Sequence, residues 1–246
     1  MQDTIILVEL PWGRNKDPRI PLGHASLLAS LNINTSCNIF SIVECINDDD
    51  FSIDRIFDRI FKLLQTKKNI STIGFGVYVW SEDTIQQLIS RIRESGFRGK
   101  IVLGGPQISY CGPTLEENYP QADIFVRGYG EIALASIINH QEKIVLQGVH
   151  YAGDVDLVEQ TQVDLEILPS PWLTNVIDIN NQIFIRWESQ RGCPFKCGFC
   201  QHKEAGARLV KKWFDTSRIQ SEIEYFCQQK VQDIAILDPI FNSDQR

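Results

Sequence analysis

Ser71-Thr72-Ile73-Gly74-Phe75-Gly76-Val77-Tyr78-Val79 is the stretch that decides the fold. It is apolar almost without a break, as a central strand buried on both faces of a parallel sheet must be. On its C-terminal side, a helix from Ser81 puts Ile85, Leu88, Ile89 and Ile92 on one face and stops near Gly96. On its N-terminal side, Phe51 to Gln65 spaces Ile53, Ile56, Phe57, Ile60, Phe61 and Leu64 by threes and fours, the period of an amphipathic helix. Asp48, Asp49, Asp50 and Ser52 supply acid and a cap where that helix begins. Further out, Thr4–Leu10, Asn38–Val43, Lys100–Leu103 and Asp123–Val126 read as four more short strands. A helix over Pro21–Leu31 follows the first of them, and one through Ile138 follows the last. Strand and helix alternating five times predict an α/β fold, a doubly wound parallel sheet with ligands at the strand carboxyl ends.

Composition narrows the class. The chain has 246 residues, 43% hydrophobic and 22% charged, which is ordinary for a globular protein with one large or two modest domains. A net charge of −7 and a pI near 5.2 argue against a broad nucleic-acid face. The opening Met1-Gln2-Asp3-Thr4-Ile5 lacks a basic leader region, and no apolar run approaches a membrane span. No nucleic-acid or membrane partner is expected, and seven cysteines fit a reducing cytoplasm. Cys37, Cys45, Cys111 and Cys227 read as small core or surface residues. A dinucleotide site is not indicated, because no G-x-G-x-x-G follows the first strand.

After Ile138 the pattern weakens. We divide the chain into a first domain over 1–140, a linker over 141–182 with a small hairpin at Lys143–Tyr151, and a second segment over 183–246. Leu168-Pro169-Ser170-Pro171-Trp172 reads as a stiff, extended connection. Beyond it come a strand from Ile183 to Ser189, a loop, a helix over Ser217–Gln229 and a strand over Asp233–Leu237.

That loop carries the chemistry. Arg191-Gly192-Cys193-Pro194-Phe195-Lys196-Cys197-Gly198-Phe199-Cys200 spaces three thiols C-x3-C-x2-C after an apolar strand. Thiolates on one loop can converge on a soft metal centre, and three ligands leave a four-iron cluster with one open iron. A Cys3His zinc site with His202 is a rival, weakened by the lack of a second C-x2-C pair. A disulfide framework suits short secreted chains better.

The spacing of Cys193, Cys197 and Cys200, with Phe199 before the last, resembles the radical S-adenosylmethionine (SAM) superfamily. The residues upstream resemble its cobalamin-binding subclass. They are Pro21-Leu22-Gly23, Gly74 to Trp80, Gly104-Gly105-Pro106, Arg127-Gly128-Tyr129-Gly130-Glu131, the Pro169/Pro171 pair and Glu188 to Cys193. The resemblance covers nearly the whole chain. It implies a Rossmann- or flavodoxin-like cobalamin-binding domain followed by the first part of a partial (β/α) radical SAM barrel. Because the chain ends at Arg246, the barrel is expected to be truncated, a piece of a longer product or a shortened gene.

Residue roles follow from the resemblance alone. Cys193, Cys197 and Cys200 would hold a 4Fe-4S cluster, and Phe199 and Asp238 would lie near bound SAM. Gly23, Gly76, Tyr78, Gly104, Gly105, Gly128, Gly130 and Glu131 would line cobalamin. The implied reaction is reductive cleavage of SAM to a 5′-deoxyadenosyl radical, then methyl transfer to an unactivated carbon. A small-molecule or peptide substrate and an electron donor such as flavodoxin or ferredoxin would be the partners. None of His24, His140, His150 and His202 sits two residues after an Asp, so the Asp-x-His-x-x-Gly motif of many cobalamin domains is missing. Two readings stay open: cobalamin held without a histidine ligand, or a domain that no longer takes it. Trp80 would face a corrin ring or simply pack. From the residues alone, a non-catalytic cobalamin- or partner-binding module and a zinc-stabilised structural protein remain rivals.

Overall fold

Strand β1 (Thr4–Glu9) is buried at every one of its six positions, and the first half of the structure grows outward from it. Parallel neighbours flank it, β2 (Asn38–Val43) on one edge and β3 (Ile70–Gly76) on the other. Beyond β3 lie β4 (Lys100–Gly104) and β5 (Ile124–Val126), also parallel, and β6 (Val149–Tyr151), which runs antiparallel to β5. The order is therefore β2-β1-β3-β4-β5-β6, a doubly wound α/β sheet as expected. Winding reverses between β1 and β3, and that reversal leaves a crevice at their carboxyl ends.

The computed structural model describes residues 3–67, 69–180, 182–193, 195, 197–200 and 212–241. The chain divides into one unit of Met1–Gly13 with Leu31–Gln162 and another of Arg14–Ser30 with Val163–Arg246. Residues 141–162 thus go with the first unit, and 163–182 with the second.

Helices α1 (Leu22–Asn34), α2 (Ile53–Thr66), α3 (Glu82–Glu94), α4 (Pro106–Ser109), α5 (Leu115–Asn118) and α6 (Gly130–Asn139) follow the successive strands. The spacing in α2 and α3 does what it predicts: Ile56 and Ile60, and Ile85, Leu88, Ile89 and Ile92, are buried with Ile6, Val8, Ile73, Phe75, Ile101 and Leu103. Ser52 caps α2, its side chain accepting from the Arg55 amide at 3.4 Å. The expected hairpin at Lys143–Tyr151 does not form. Val149–Tyr151 pairs with β5 instead, where it covers what would otherwise be an open sheet edge.

The buried cation of this unit is Arg127, just past β5 and 1% exposed. Its guanidinium donates to the carbonyls of Ile108, Cys111 and Gly112 and to Asp156 Oδ2 at 2.6 Å. Burial raises the Asp156 pKa, but the Arg127 guanidinium, the Val158 amide and His150 together hold the carboxyl below its ordinary value.

In the second unit, β7 (Phe184–Trp187) leads to a short antiparallel pair, β8 (Gln190–Arg191) with β9 (Lys212–Trp213). Helix α7 (Thr216–Gln228) then returns the chain to β10 (Asp233–Ile236), which lies parallel to β7. Asp215 caps α7, accepting from the Ser217 and Arg218 amides. The core joins Ala25, Trp172, Ile177, Ile179, Ile185, Trp187 and Phe226. Both indoles meet the Phe226 ring edge-on, Trp172 at 5.2 Å and Trp187 at 6.0 Å between centroids. The Trp187 indole N–H donates to buried Glu222 at 2.6 Å, and Arg218 bridges Glu222 to the Leu168 carbonyl. Arg14–Ser30 counts with this unit, and Arg186 accordingly grips Asp17 through Nε at 3.1 Å and an Nη at 2.8 Å. The Pro169–Trp172 segment is not extended throughout: Ser170 Oγ accepts from the Trp172 and Leu173 amides, folding it into a turn that sinks Trp172 into the core.

Arg127→Ala would strand the Asp156 carboxylate and three carbonyls, so we expect a loss of roughly 3–5 kcal/mol, the usual cost of halving a buried ion pair. Urea unfolding of the variant against wild type measures it.

Candidate functional site

Glu9 closes β1 at the point where the winding of the sheet reverses, and it is only 3% exposed. Its partner in register on β3 is Gly76. A Cβ on Gly76 would lie 2.2 Å from Glu9 Oε2, so the carboxyl group in its present position uses the space that glycine leaves. Tyr78, two residues on, hydrogen-bonds to Glu9. Burial pushes the Glu9 pKa from its ordinary 4.5 up to about 8, the Tyr78 hydrogen bond only partly opposing it. Burial and the Glu9 charge also push the Tyr78 phenol upward. Sequence reading missed Glu9. The only signal was an acid ending an otherwise apolar strand, which is also how a strand meets solvent.

Above this acid the β3 loop presents aromatic surface. Trp80 stacks on Tyr78 at 4.8 Å with the rings 11° from parallel, and its indole N–H donates to the Leu10 carbonyl at 3.1 Å. The indole is nonetheless 42% exposed, with Val79 beside it and Trp12 after β1 more exposed still. Trp80 therefore packs by one face and leaves apolar surface at the carboxyl ends of β1 and β3. Loops here brace one another: Gly13 and Asn47 exchange two hydrogen bonds, at 2.9 and 2.8 Å. Gln107 on α4 donates to Glu82 on α3 at 2.7 Å, and the Tyr119 hydroxyl donates to the same carboxylate.

The glycines singled out from sequence have local work of their own. Gly105 has φ 96°, and a Cβ there would meet the Val77 carbonyl at 2.7 Å. Gly104 lies within ordinary contact of the Val126 carbonyl. Gly128, at φ 82°, lets Thr161 approach, and the Thr161 amide and hydroxyl both donate to the Arg127 carbonyl at 2.8 Å. Gly130 begins α6 and Glu131 lies buried in its first turn, where a carboxylate suits the helix dipole. Gly23 is in the first turn of α1, which counts with the second unit, beside His24. His24 is 3% exposed, and burial drives its pKa down to about 4, so it is neutral.

In the second unit the cysteine loop leaves β8 at Gly192, whose φ of 81° turns the chain. Cys193, Cys197 and Cys200 are free thiols, Cys197 exposed and the other two half-buried. The Cys200 amide donates to the Cys197 carbonyl at 3.0 Å, closing a turn between the last two. Phe199 is 94% exposed. Lys196 and His202 lie outside the described residues. No three Cys, His, Asp or Glu side chains among the described residues form a ready metal-binding group. The donor set itself, three unbridged thiols on one short loop, suits a thiophilic iron–sulfur centre. Asp238 does not stand open at the end of β10. One oxygen accepts from the Ser189 and Gln190 amides at 2.8 and 3.2 Å, and the other from the Ser189 hydroxyl at 2.5 Å.

The fold is thus a doubly wound α/β unit with exposed aromatic side chains at the carboxyl ends of β1 and β3, joined in sequence to a β–loop–α–β segment whose loop carries three thiols. No protein-family model matches the chain. The cobalamin-dependent radical SAM methyltransferase TokK of Streptomyces tokunonensis is 26% identical over 186 residues, covering 69% of this chain and 27% of that one. The 2-(S-pantetheinyl)-carbapenam-3-carboxylate methyltransferase of Streptantibioticus cattleyicolor is 26% identical over 187 residues, with the same coverage. The solved structure of OxsB, a cobalamin-dependent SAM radical enzyme with aqua-cobalamin and SAM bound, superposes with a TM-score of 0.72 at 19% identity. That match covers 98% of this chain and 34% of OxsB. The chain is related to the cobalamin-dependent radical SAM proteins, and it spans about a quarter of the length of these curated relatives. No helix among the described residues is long and apolar enough to cross a membrane.

The Glu9 carboxyl gives a pH test. The native state keeps its proton between about 4.5 and 8, where the unfolded chain has lost it, so stability falls as pH rises through that window and levels off above it. Glu9→Gln should flatten this slope, matching wild type near the bottom of the window and melting roughly several degrees higher at its top. Thermal melts across that range check it; equal slopes would mean that Glu9 is ionised in the fold.

Proposed function

We propose that the chain serves a radical SAM enzyme of the cobalamin-dependent kind, with methyl transfer to an unactivated carbon as its reaction. The observation that carries this is the trio Cys193, Cys197 and Cys200 on a loop behind β8, in a chain similar over 69% of its length to TokK, a methyltransferase of that kind. In this reading the three thiolates hold a 4Fe-4S cluster, and the α/β unit takes cobalamin over the crevice beside Trp80. When bound, the cluster offers an open iron for SAM and one electron for cleaving its sulfonium, and cobalamin offers a methyl carrier.

The chain's own residues would do the rest. Gly192 turns the backbone out of β8, and a backbone turn joins Cys197 to Cys200. Exposed Phe199 offers an apolar face for an adenine. Trp80 and Tyr78 offer a flat apolar platform at the strand ends, a surface type that suits a large ring ligand. Glu9 beneath them is a neutral acid at physiological pH, which keeps an uncompensated negative charge out of the crevice floor. An electron donor of flavodoxin or ferredoxin type, a small-molecule or peptide substrate and a cytoplasmic setting complete the reading.

Anaerobic reconstitution with iron and sulfide tests it. The reduced chain should give a 4Fe-4S EPR signal whose g-values move on adding SAM, and Cys197→Ala should lose the iron-dependent absorbance. Aquacobalamin should stay with the chain through desalting. Zinc in place of iron would overturn the cluster assignment, and cobalamin lost on desalting would overturn the role of the α/β unit.

A further inference from the structure

The backbone between β7 and the first cysteine is held at almost every residue, and two consecutive amides in it are held by one side chain. After Trp187, whose carbonyl accepts from the Leu237 amide at 2.7 Å, β7 and β10 stop pairing as strands. Asp238 then takes over. It caps the Ser189 and Gln190 amides with one oxygen and the Ser189 hydroxyl with the other. The far side of Ser189 is fixed as well, since its carbonyl accepts from the Phe214 amide at 3.1 Å. Gln190 and Arg191 pair with Trp213 and Lys212, the Gln190 amide side chain donates to the Ile240 carbonyl, and Arg191 is held by Glu188. Gly192 and Cys193 follow at once.

We propose that Asp238 is a positioning residue for the cysteine loop, clamping the Ser189–Gln190 backbone from which Cys193 departs, and is not a ligand of SAM. This rests on the cluster reading given above and departs from the role that the family resemblance implies for Asp238. The chemistry favours the clamp: three donors from its own chain take three of the carboxylate's roughly four acceptor sites, and two of them are backbone amides. About one acceptor site, on Oδ2, is left for any further donor. A charged acceptor on backbone N–H groups is among the stronger hydrogen-bonding arrangements. Residues that hold a metal ligand in place from behind typically alter metal affinity by roughly 10- to 100-fold when removed.

The test uses the 246-residue chain as wild type, Asp238→Ala, Asp238→Asn and Ser189→Ala. Hydrogen exchange on the metal-free protein reads the clamp directly: Asp238→Ala should speed exchange at the Ser189 and Gln190 amides by roughly tenfold or more. Asp238→Asn keeps a carbonyl oxygen for those amides and should be milder, and Ser189→Ala milder still. These two carry the test if Asp238→Ala does not fold. On reconstituted protein, the same order should appear in the rate at which a chelator strips iron, measured without SAM present. Unchanged exchange and unchanged iron loss, with SAM affinity alone weakened, would overturn the clamp and make Asp238 a direct SAM contact. If the wild-type chain takes up no cluster at all, the functional reading fails first, and the exchange data show whether the clamp exists without it.

Discussion

Complete burial of β1 is the constraint on which the first unit depends. A strand with all six residues inside has no solvent to absorb a polar side chain, so each must be matched by a partner or by a change in protonation. Glu9 meets that demand by holding its proton and by hydrogen-bonding to Tyr78, and Gly76 meets it by giving up a side chain to make room. The reversal of winding occurs at this same strand end. One residue pair, Glu9 with Gly76, therefore joins the packing of the sheet centre to the floor of the crevice, and Tyr78 and Trp80 extend the pair to the surface.

How far the sequence could be read follows from how local each signal is. The strands flanking Ser71–Val79 were legible because a doubly covered strand must be apolar throughout, and α2 and α3 because their apolar faces recur with helical period. The cap at Ser52 is a contact three residues long and was equally visible. What stayed hidden depends on pairings distant in sequence. Val149–Tyr151 reads as half of a local hairpin until β5 is known to need an edge partner. Pro169 and Pro171 point to an extended chain, but Ser170 folds the segment back and buries Trp172. Arg14–Ser30 gives no sign that it belongs with residues more than a hundred positions later, because the Asp17–Arg186 pair spans that distance.

The site shows the same division. The cysteine spacing is an eight-residue pattern and was readable outright, whereas Asp238, which clamps the strand end before it, lies far off in sequence. Gly76, Gly105 and Gly128 were picked out by the family resemblance, as residues that would line a ligand. In the structure each first serves an approach by the chain itself: a carboxyl group, a Val77 carbonyl and the Thr161 backbone. A glycine motif records that something comes close to the backbone without saying whether it is ligand or protein. Trp80 was ambiguous for a related reason, and both sides of the ambiguity are real, since one face stacks on Tyr78 and the rest stays exposed.

The two units solve one problem by different means. Each must carry a loop at the end of a parallel strand, where ladder hydrogen bonds stop and freed amides need acceptors. In the first unit, neighbouring loops supply them in pairs, as Gly13 does with Asn47 and Val77 with Gly104 and Gln107. That mutual bracing leaves apolar side chains such as Trp12 and Val79 facing outward. In the second unit a single carboxylate serves two consecutive amides, so the geometry upstream of Cys193 converges on one residue. Under the proposed cluster reading, a loop presenting three thiols gains from such convergence, because one anchor sets the direction in which the loop starts. A platform for a broad flat ligand does not need it.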